Sequence, residues 1–271
     1  MKSAFNCLLF AQFALLVTVA NLAAAADVKP HDRLVILYAD NEYKNDASLK
    51  EFADRYLKKD FNVEMVSWDK YDGHQFVGIE RLKDADLILI SARRRVLPKE
   101  QLDLIRKWVA DGKPVVGIHT ASHAFAGKSG SKSPGGTDEW PKFDEEVLGC
   151  HYTGHYPSPA KGTTPTVIRT APSASDNPIL AGISQEGFRS AGSLYKCAPL
   201  GPKATLLVEG YLAGKEDGTT EPVAWSNTSP GGGRVFFTSL GHVQDFSEPV
   251  FVRLLRNGIY WASGKEIPKD L

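Results

Sequence analysis

The sequence predicts an α/β fold: a mostly parallel central sheet with helices on both faces, a three-layer sandwich. Three observations predict it. From Arg33 onward, short β-rich runs alternate with amphipathic stretches, as they do in a parallel sheet wrapped by helices. Leu87-Ile-Leu-Ile-Ser91 is a continuous apolar run preceded by Asp84 and Asp86, the pattern of a central strand buried on both faces. Pro98 to Asp111 opens with proline near the first turn and stops at Gly112, with Leu102, Ile105, Trp108 and Val109 on one face, so both ends of a helix are marked.

The remaining elements follow in order. Arg33 to Tyr38 is the first strand, and Asp46 to Lys59 is a helix carrying Leu49, Phe52, Ala53, Tyr56 and Leu57 at helical spacing. Asn62 to Trp68 is the second strand. Pro114 to His119 is a fourth strand, after Leu87 to Ser91, and runs directly into Thr120 to Phe125. Gly127 to Glu139 is rich in Gly, Ser, Lys and Pro, and its position after a central strand suits a lid or substrate loop. A short helix is expected at Phe143 to Leu148. The second half is less regular, with strands at Thr166 to Arg169, Thr205 to Glu209, Pro222 to Trp225 and Arg234 to Ser239. A last helix, Ser247 to Ser263, ends at Gly264.

Lys2, the apolar run Leu8 to Ala20 and the small residues Ala24-Ala25-Ala26 read as an export signal over residues 1–26. The expected product is then a periplasmic or secreted single domain, 27–271, not held in a membrane. The whole chain has 32 basic and 32 acidic residues, which points away from nucleic acid or other polyanions as partners. Cys150 and Cys197 remain after the signal, either as a disulfide or as two buried thiols.

In open α/β sheets the ligand site lies beyond the carboxyl ends of the strands, so the strand ends nominate the site. The first strand supplies Asp40, Asn41, Glu42 and Tyr43, the third supplies Arg93, Arg94 and Arg95, the fourth His119, and the last His242. Gly117-Ile118-His119-Thr120-Ala121 has small residues flanking a sharp strand-to-helix turn that exposes its middle side chain. An imidazole there can act as acid, base, metal ligand or hydrogen-bond donor. His151 and His155 are four apart, a metal pair if helical, although Gly154 and Pro157 oppose a helix. A divalent metal held by His119, His151, His155 and His242 is therefore one expectation, and acid/base work by His119 and His242 is the other. Glu42, Tyr43, Arg93, Arg94, Trp140, His155 and Tyr195 are the candidates for substrate contact.

Several segments together resemble the trehalose-utilisation (ThuA-like) family, whose members look like degenerate relatives of class I glutamine amidotransferases. They are Pro114 to Ala121, Trp140 with Phe143 to Pro157, Pro222 to Trp225, Gly233 to His242 and Phe251 to Gly264. The resemblance implies a flavodoxin-like sandwich of the amidotransferase type. Amidotransferase chemistry needs a thiolate at the turn and a later His-x-Glu. This chain has His119 at the turn and His242-Val243-Gln244 later, so it is not expected to be a glutaminase. The resemblance points instead to sugars, particularly oxidised (keto) glycosides. Tyr195 aligns with a family Asp-Glu-Leu-Tyr segment, while Gly192-Ser193 replaces the acidic pair. The combined expectation is an exported enzyme of carbohydrate breakdown that isomerises or cleaves a keto-saccharide. The rival is a non-catalytic saccharide-binding module that uses the same crevice, and under either reading the partners expected are a small saccharide and further copies of the chain.

Overall fold

In the computed structural model the parallel run is broken by no crossover to another sheet: strands β1 (Asp32–Ala39), β2 (Phe61–Ser67), β3 (Leu87–Ala92) and β4 (Val115–Ile118) align side by side. Strands β5 (Thr166–Thr170), β6 (Phe188–Ser190), β7 (Thr205–Leu212), β8 (Glu221–Thr228) and β9 (Arg234–Thr238) complete a nine-stranded sheet. Its order is β2-β1-β3-β4-β9-β8-β7-β5-β6. The first five in that order pair in parallel, and the remaining pairings are antiparallel. The structure describes residues 32–40, 44–71, 73–128, 133–157, 164–185, 187–215, 218 and 220–270. The expected leader, residues 1–26, and the site candidates Asn41, Glu42 and Tyr43 lie outside them. Residues 31–271 pack as one compact unit.

Side chains alternate across the sheet as strand geometry requires. Leu34 and Ile36 of β1, Leu87 and Leu89 of β3 and Phe236 of β9 face one apolar cluster. Helices α1 (Asn45–Tyr56) and α3 (Pro249–Ser263) cover it with residues such as Leu49, Phe52, Leu254 and Ile259. Val35, Leu37, Ile88, Ile90 and Phe237 face the other cluster, where helix α2 (Lys99–Ala110) packs Leu102, Ile105 and Trp108. The parallel half is therefore buried on both faces, which explains why its strands read as unbroken apolar runs.

Three local differences have physical causes. The last helix begins at Pro249 rather than Ser247, because proline has no N–H to continue a preceding turn and favours the first helical position. Val243–Ser247 forms its own 3₁₀ turn instead. Asp144–Leu148 is a single π-type turn closed by Gly149 at φ 79°. The edge strand β6 has only three residues and an exposed Arg189, so it lacks the apolar alternation that would mark it.

Gly258 lets α3 lie directly on β9, since a Cβ there would fall 2.2 Å from Phe236 Cδ1. Gly258→Ala should therefore destabilise by roughly 1–3 kcal/mol through overpacking, although alanine is normally the better helix residue by about 1 kcal/mol. Urea unfolding checks this, and a gain in stability would mean that the helix does not rest on Phe236.

Candidate functional site

Strand β4 delivers His119 into the site at φ 50°, a left-handed conformation that non-glycine residues seldom adopt. The turn is possible because its neighbours are small. A Cβ on Gly117 would lie 2.8 Å from Phe237 Cδ2, and one on Gly241 would lie 3.1 Å from His119 Cβ. Parallel pairing sets Ile118 opposite Thr238, so the ends of β4 and β9 open on the same edge. His119 Nδ1 consequently lies 2.9 Å from the Ser239 carbonyl oxygen. A carbonyl can only accept, so in the neutral ring Nδ1 carries the proton and Nε2 presents a lone pair. The Tyr195 hydroxyl stands 3.4 Å from Nε2 and donates toward it.

Burial controls the charge of this imidazole. His119 is only 1% exposed, and desolvation pulls its pKa down to about 4, with the positive potentials of His242, Arg93 and His155 adding to the shift. The Ser239 carbonyl pulls the other way. At neutral pH His119 is an uncharged base.

Tyr195 is the hub of an aromatic cluster. A short antiparallel ribbon, Gly154–His155 against Tyr195–Lys196, places Tyr195 opposite His155. The Tyr195 ring centroid is 5.1 Å from that of His119, 5.1 Å from Tyr152, 5.9 Å from His155 and 6.1 Å from His123. His123 stacks on Tyr152 at 4.6 Å and 17°. Its pKa is lowered to about 3, first by burial and then by the charges of Arg94, His119 and Arg93. His123 was not among the candidates read from sequence, although two histidines four apart in the segment after β4 could have marked it.

His242 follows the end of β9, and its charge reaches His119. Its Nδ1 accepts from the Gln244 N–H at 3.3 Å and caps the 3₁₀ turn. Asp245, which is 1% exposed, accepts from the N–H groups of Gly241 and His242, both at 3.0 Å, and from the Ser190 hydroxyl at 2.8 Å. Burial raises the Asp245 pKa against these hydrogen bonds. Asp245 was also missed. An acid three residues after a capping residue is the signal that could have found it.

The three arginines diverge. Arg93 and Arg94 are exposed, and the Arg94 N–H donates to the His123 carbonyl at 3.0 Å. Arg95 folds back, donating to the Ala39 and Gly73 carbonyls and lying 4.1 Å over the Trp68 ring. Asp40, 7% exposed, accepts from the Thr120 hydroxyl at 3.2 Å and so ties the end of β1 to the residue after His119.

His119 and His155 are thus brought together around Tyr195, the charge of His242 reaches His119, and Arg93 acts on His119 and His123 while Arg94 acts on His123. His151 and Trp140 take other partners. His151 Nδ1 is 3.3 Å from Glu145, and the Trp140 indole donates to Glu146 at 2.7 Å while packing on Phe143. No group of three or more His, Cys, Asp or Glu side chains among the described residues is arranged to hold a metal. Cys150 and Cys197 are buried and unlinked, and the hydrogen bond that the Cys150 thiol donates to Cys197, together with burial, raises the Cys150 pKa. His119 and His123 are buried, His242 is half-buried, and His155, on the ribbon itself, is exposed. A cavity of about 680 Å³ lies beyond β1 and β2, with Asp40 in its lining.

Among the described residues no helix is long and apolar enough to cross a membrane. No curated protein matches the chain. Among solved structures, it is similar to a ThuA-like protein of Bacteroides uniformis, with a TM-score of 0.60 at 16% identity over 90% of this chain and 95% of that one. A ThuA-like protein of Parabacteroides merdae superimposes with a TM-score of 0.57 at 19% identity, covering 89% and 93%. These likenesses concern the fold. The family model described as trehalose utilisation matches residues 33–262, nearly the whole described unit, and the chain belongs to that ThuA family.

Proposed function

We propose that this is an exported enzyme of carbohydrate breakdown that moves a proton beside the ketone of an oxidised saccharide. The observation that carries the reading is the buried His119–Tyr195 pair: a neutral imidazole pinned through Nδ1, with its basic Nε2 facing a phenol. Such a pair can take up one proton, with Tyr195 giving its hydroxyl proton to Nε2 as it receives another. Removing the proton α to a ketone leaves an enolate, and the positive charges of Arg93 and Arg94 favour an anion at this edge. His155, His123 and Tyr152 supply ring groups around Tyr195. The family's description points to a sugar as the substrate class.

The test is deuterium incorporation at the ketone-adjacent carbon of a keto-disaccharide in D₂O, followed by NMR. The wild-type protein should exchange or cleave the sugar, and Tyr195→Phe should slow this by roughly 10²-fold or more, within the range for one acid/base group. Binding without exchange or turnover would instead identify a saccharide-binding module.

A further inference from the structure

Two buried thiols take no part in the chemistry at His119, yet they lie together. The chain has three cysteines: Cys7 falls in the expected leader, and the other two meet in the fold. Cys150 comes just after the π-type turn, and Cys197 just after the ribbon strand that carries Tyr195. They are 2% and 0% exposed, and the Cys150 thiol donates a hydrogen bond to Cys197. Cysteines that only fill apolar space have no reason to touch each other.

The backbone brings them together by pairing that runs on beyond the two-residue ribbon. The Tyr156 N–H donates to the Leu194 carbonyl at 2.8 Å, Thr153 to Lys196 at 3.0 Å and His151 to Cys197 at 3.3 Å. Cys150 then bridges Leu200, and the Gly201 N–H donates to the Gly149 carbonyl at 2.9 Å. Glu221, the first residue of β8, ties the second arm to the main sheet: its Oε2 accepts from the Cys197 and Ala198 N–H groups at 3.1 and 3.3 Å. A two-stranded ribbon is marginal in water by itself. This one sets Tyr195 opposite His155 and so fixes the hydroxyl that faces His119. A covalent tie beside it would act where β-pairing is shortest.

We infer that Cys150 and Cys197 form a disulfide when the chain meets a disulfide oxidant, a staple that fixes the ribbon carrying Tyr195 and His155. The step is thiol–disulfide exchange. One protein thiolate attacks a sulfur of the oxidant and releases one thiol, and the second attacks the mixed disulfide and releases the other. Two protein thiols become one S–S bond, the oxidant disulfide is reduced to two thiols, and the two protons leave on them. Burial holds the Cys150 thiol protonated and covered, so exchange proceeds through opening of the ribbon and is slow in the folded protein. The export proposed above would bring the chain to a compartment where disulfides persist. The staple is independent of the saccharide reading, which could fail without affecting it.

The test is to hold the full-length protein in oxidised glutathione, alkylate the remaining thiols, digest, and map the peptides by mass spectrometry. The peptides containing Cys150 and Cys197 should appear joined and two hydrogens lighter than the separate pair. Two alkylated cysteines, or glutathione left on one of them with no internal bond, overturns the inference. Hydrogen exchange then reads the staple itself: the Thr153 and Tyr156 amides should exchange about tenfold or more slowly in the oxidised than in the reduced protein. Cys197→Ala should show no difference between oxidising and reducing buffer. Equal exchange in the two wild-type forms, or the same slowing in Cys197→Ala, shows that the bond does not hold the ribbon and overturns the staple.

Discussion

His119→Asn is expected to lower turnover by roughly 10²–10⁴-fold, the range for loss of one positioned acid/base group. Asparagine is the informative replacement because it tolerates the left-handed conformation that His119 adopts at φ 50° better than most side chains do. Its amide can also donate to the Ser239 carbonyl that His119 occupies at 2.9 Å, so no buried acceptor is abandoned. What asparagine lacks is a basic nitrogen facing Tyr195. Because the His119 pKa is held at about 4, wild-type kcat/KM should stay level through neutrality and fall only as pH approaches that value. A variant that keeps wild-type turnover while folding normally would remove His119 from the chemistry.

The second large effect is on stability in acid. His119 and His123 have folded pKa values of about 4 and about 3 against 6.5 for the free side chain. Between those values the unfolded chain binds protons that the folded chain does not, so stability is full above pH 6.5 and falls as pH drops toward 4. From pH 7.5 to pH 5 each histidine should cost about 2 kcal/mol, roughly 4 kcal/mol together. Asp245 and Asp144 act in the opposite direction: burial raises their pKa values, so the folded state holds their protons more tightly and gains as pH falls. The clean measurement is therefore the difference between wild type and His123→Phe, whose ring can keep the stack on Tyr152. Urea midpoints at pH 7.5 and pH 5 should show the variant losing about 2 kcal/mol less than wild type. Parallel pH profiles would show that His123 is not the group that titrates.

The parallel half of the sheet was legible because burial on both faces leaves strands such as Leu87–Ala92 with no polar alternation to confuse them. His119 was legible for a related reason: a sharp turn at the end of a buried strand needs small neighbours, and Gly117 and Ala121 are written beside it. The cluster around it was harder to read. Tyr195 meets His119 at a sequence separation of 76, and the two-residue ribbon that brings it there has no periodicity at all. His151 and His155 looked like a pair by spacing, but in extended backbone one turned to Glu145 and the other to Tyr195. The cavity could not be anticipated, because Tyr71 and Val77, exposed in its lining, look like any surface residues until the ends of β1 and β2 are placed together.

The hydrogen bonds that assemble this edge span great lengths of chain. Thr120 reaches back 80 residues to Asp40, Ser190 reaches forward 55 to Asp245, and His119 closes on Ser239 across 120. Each closure has to wait for strands from distant parts of the chain to dock, so contact order is high and folding correspondingly slow. The imidazole cluster is then among the last features to mature, and quenching of an intrinsic fluorophore near Tyr195 would time the completion of the molecule rather than its collapse. Fragments cut anywhere between β4 and β9 would separate the partners of the His119–Ser239 closure and so could not assemble this centre.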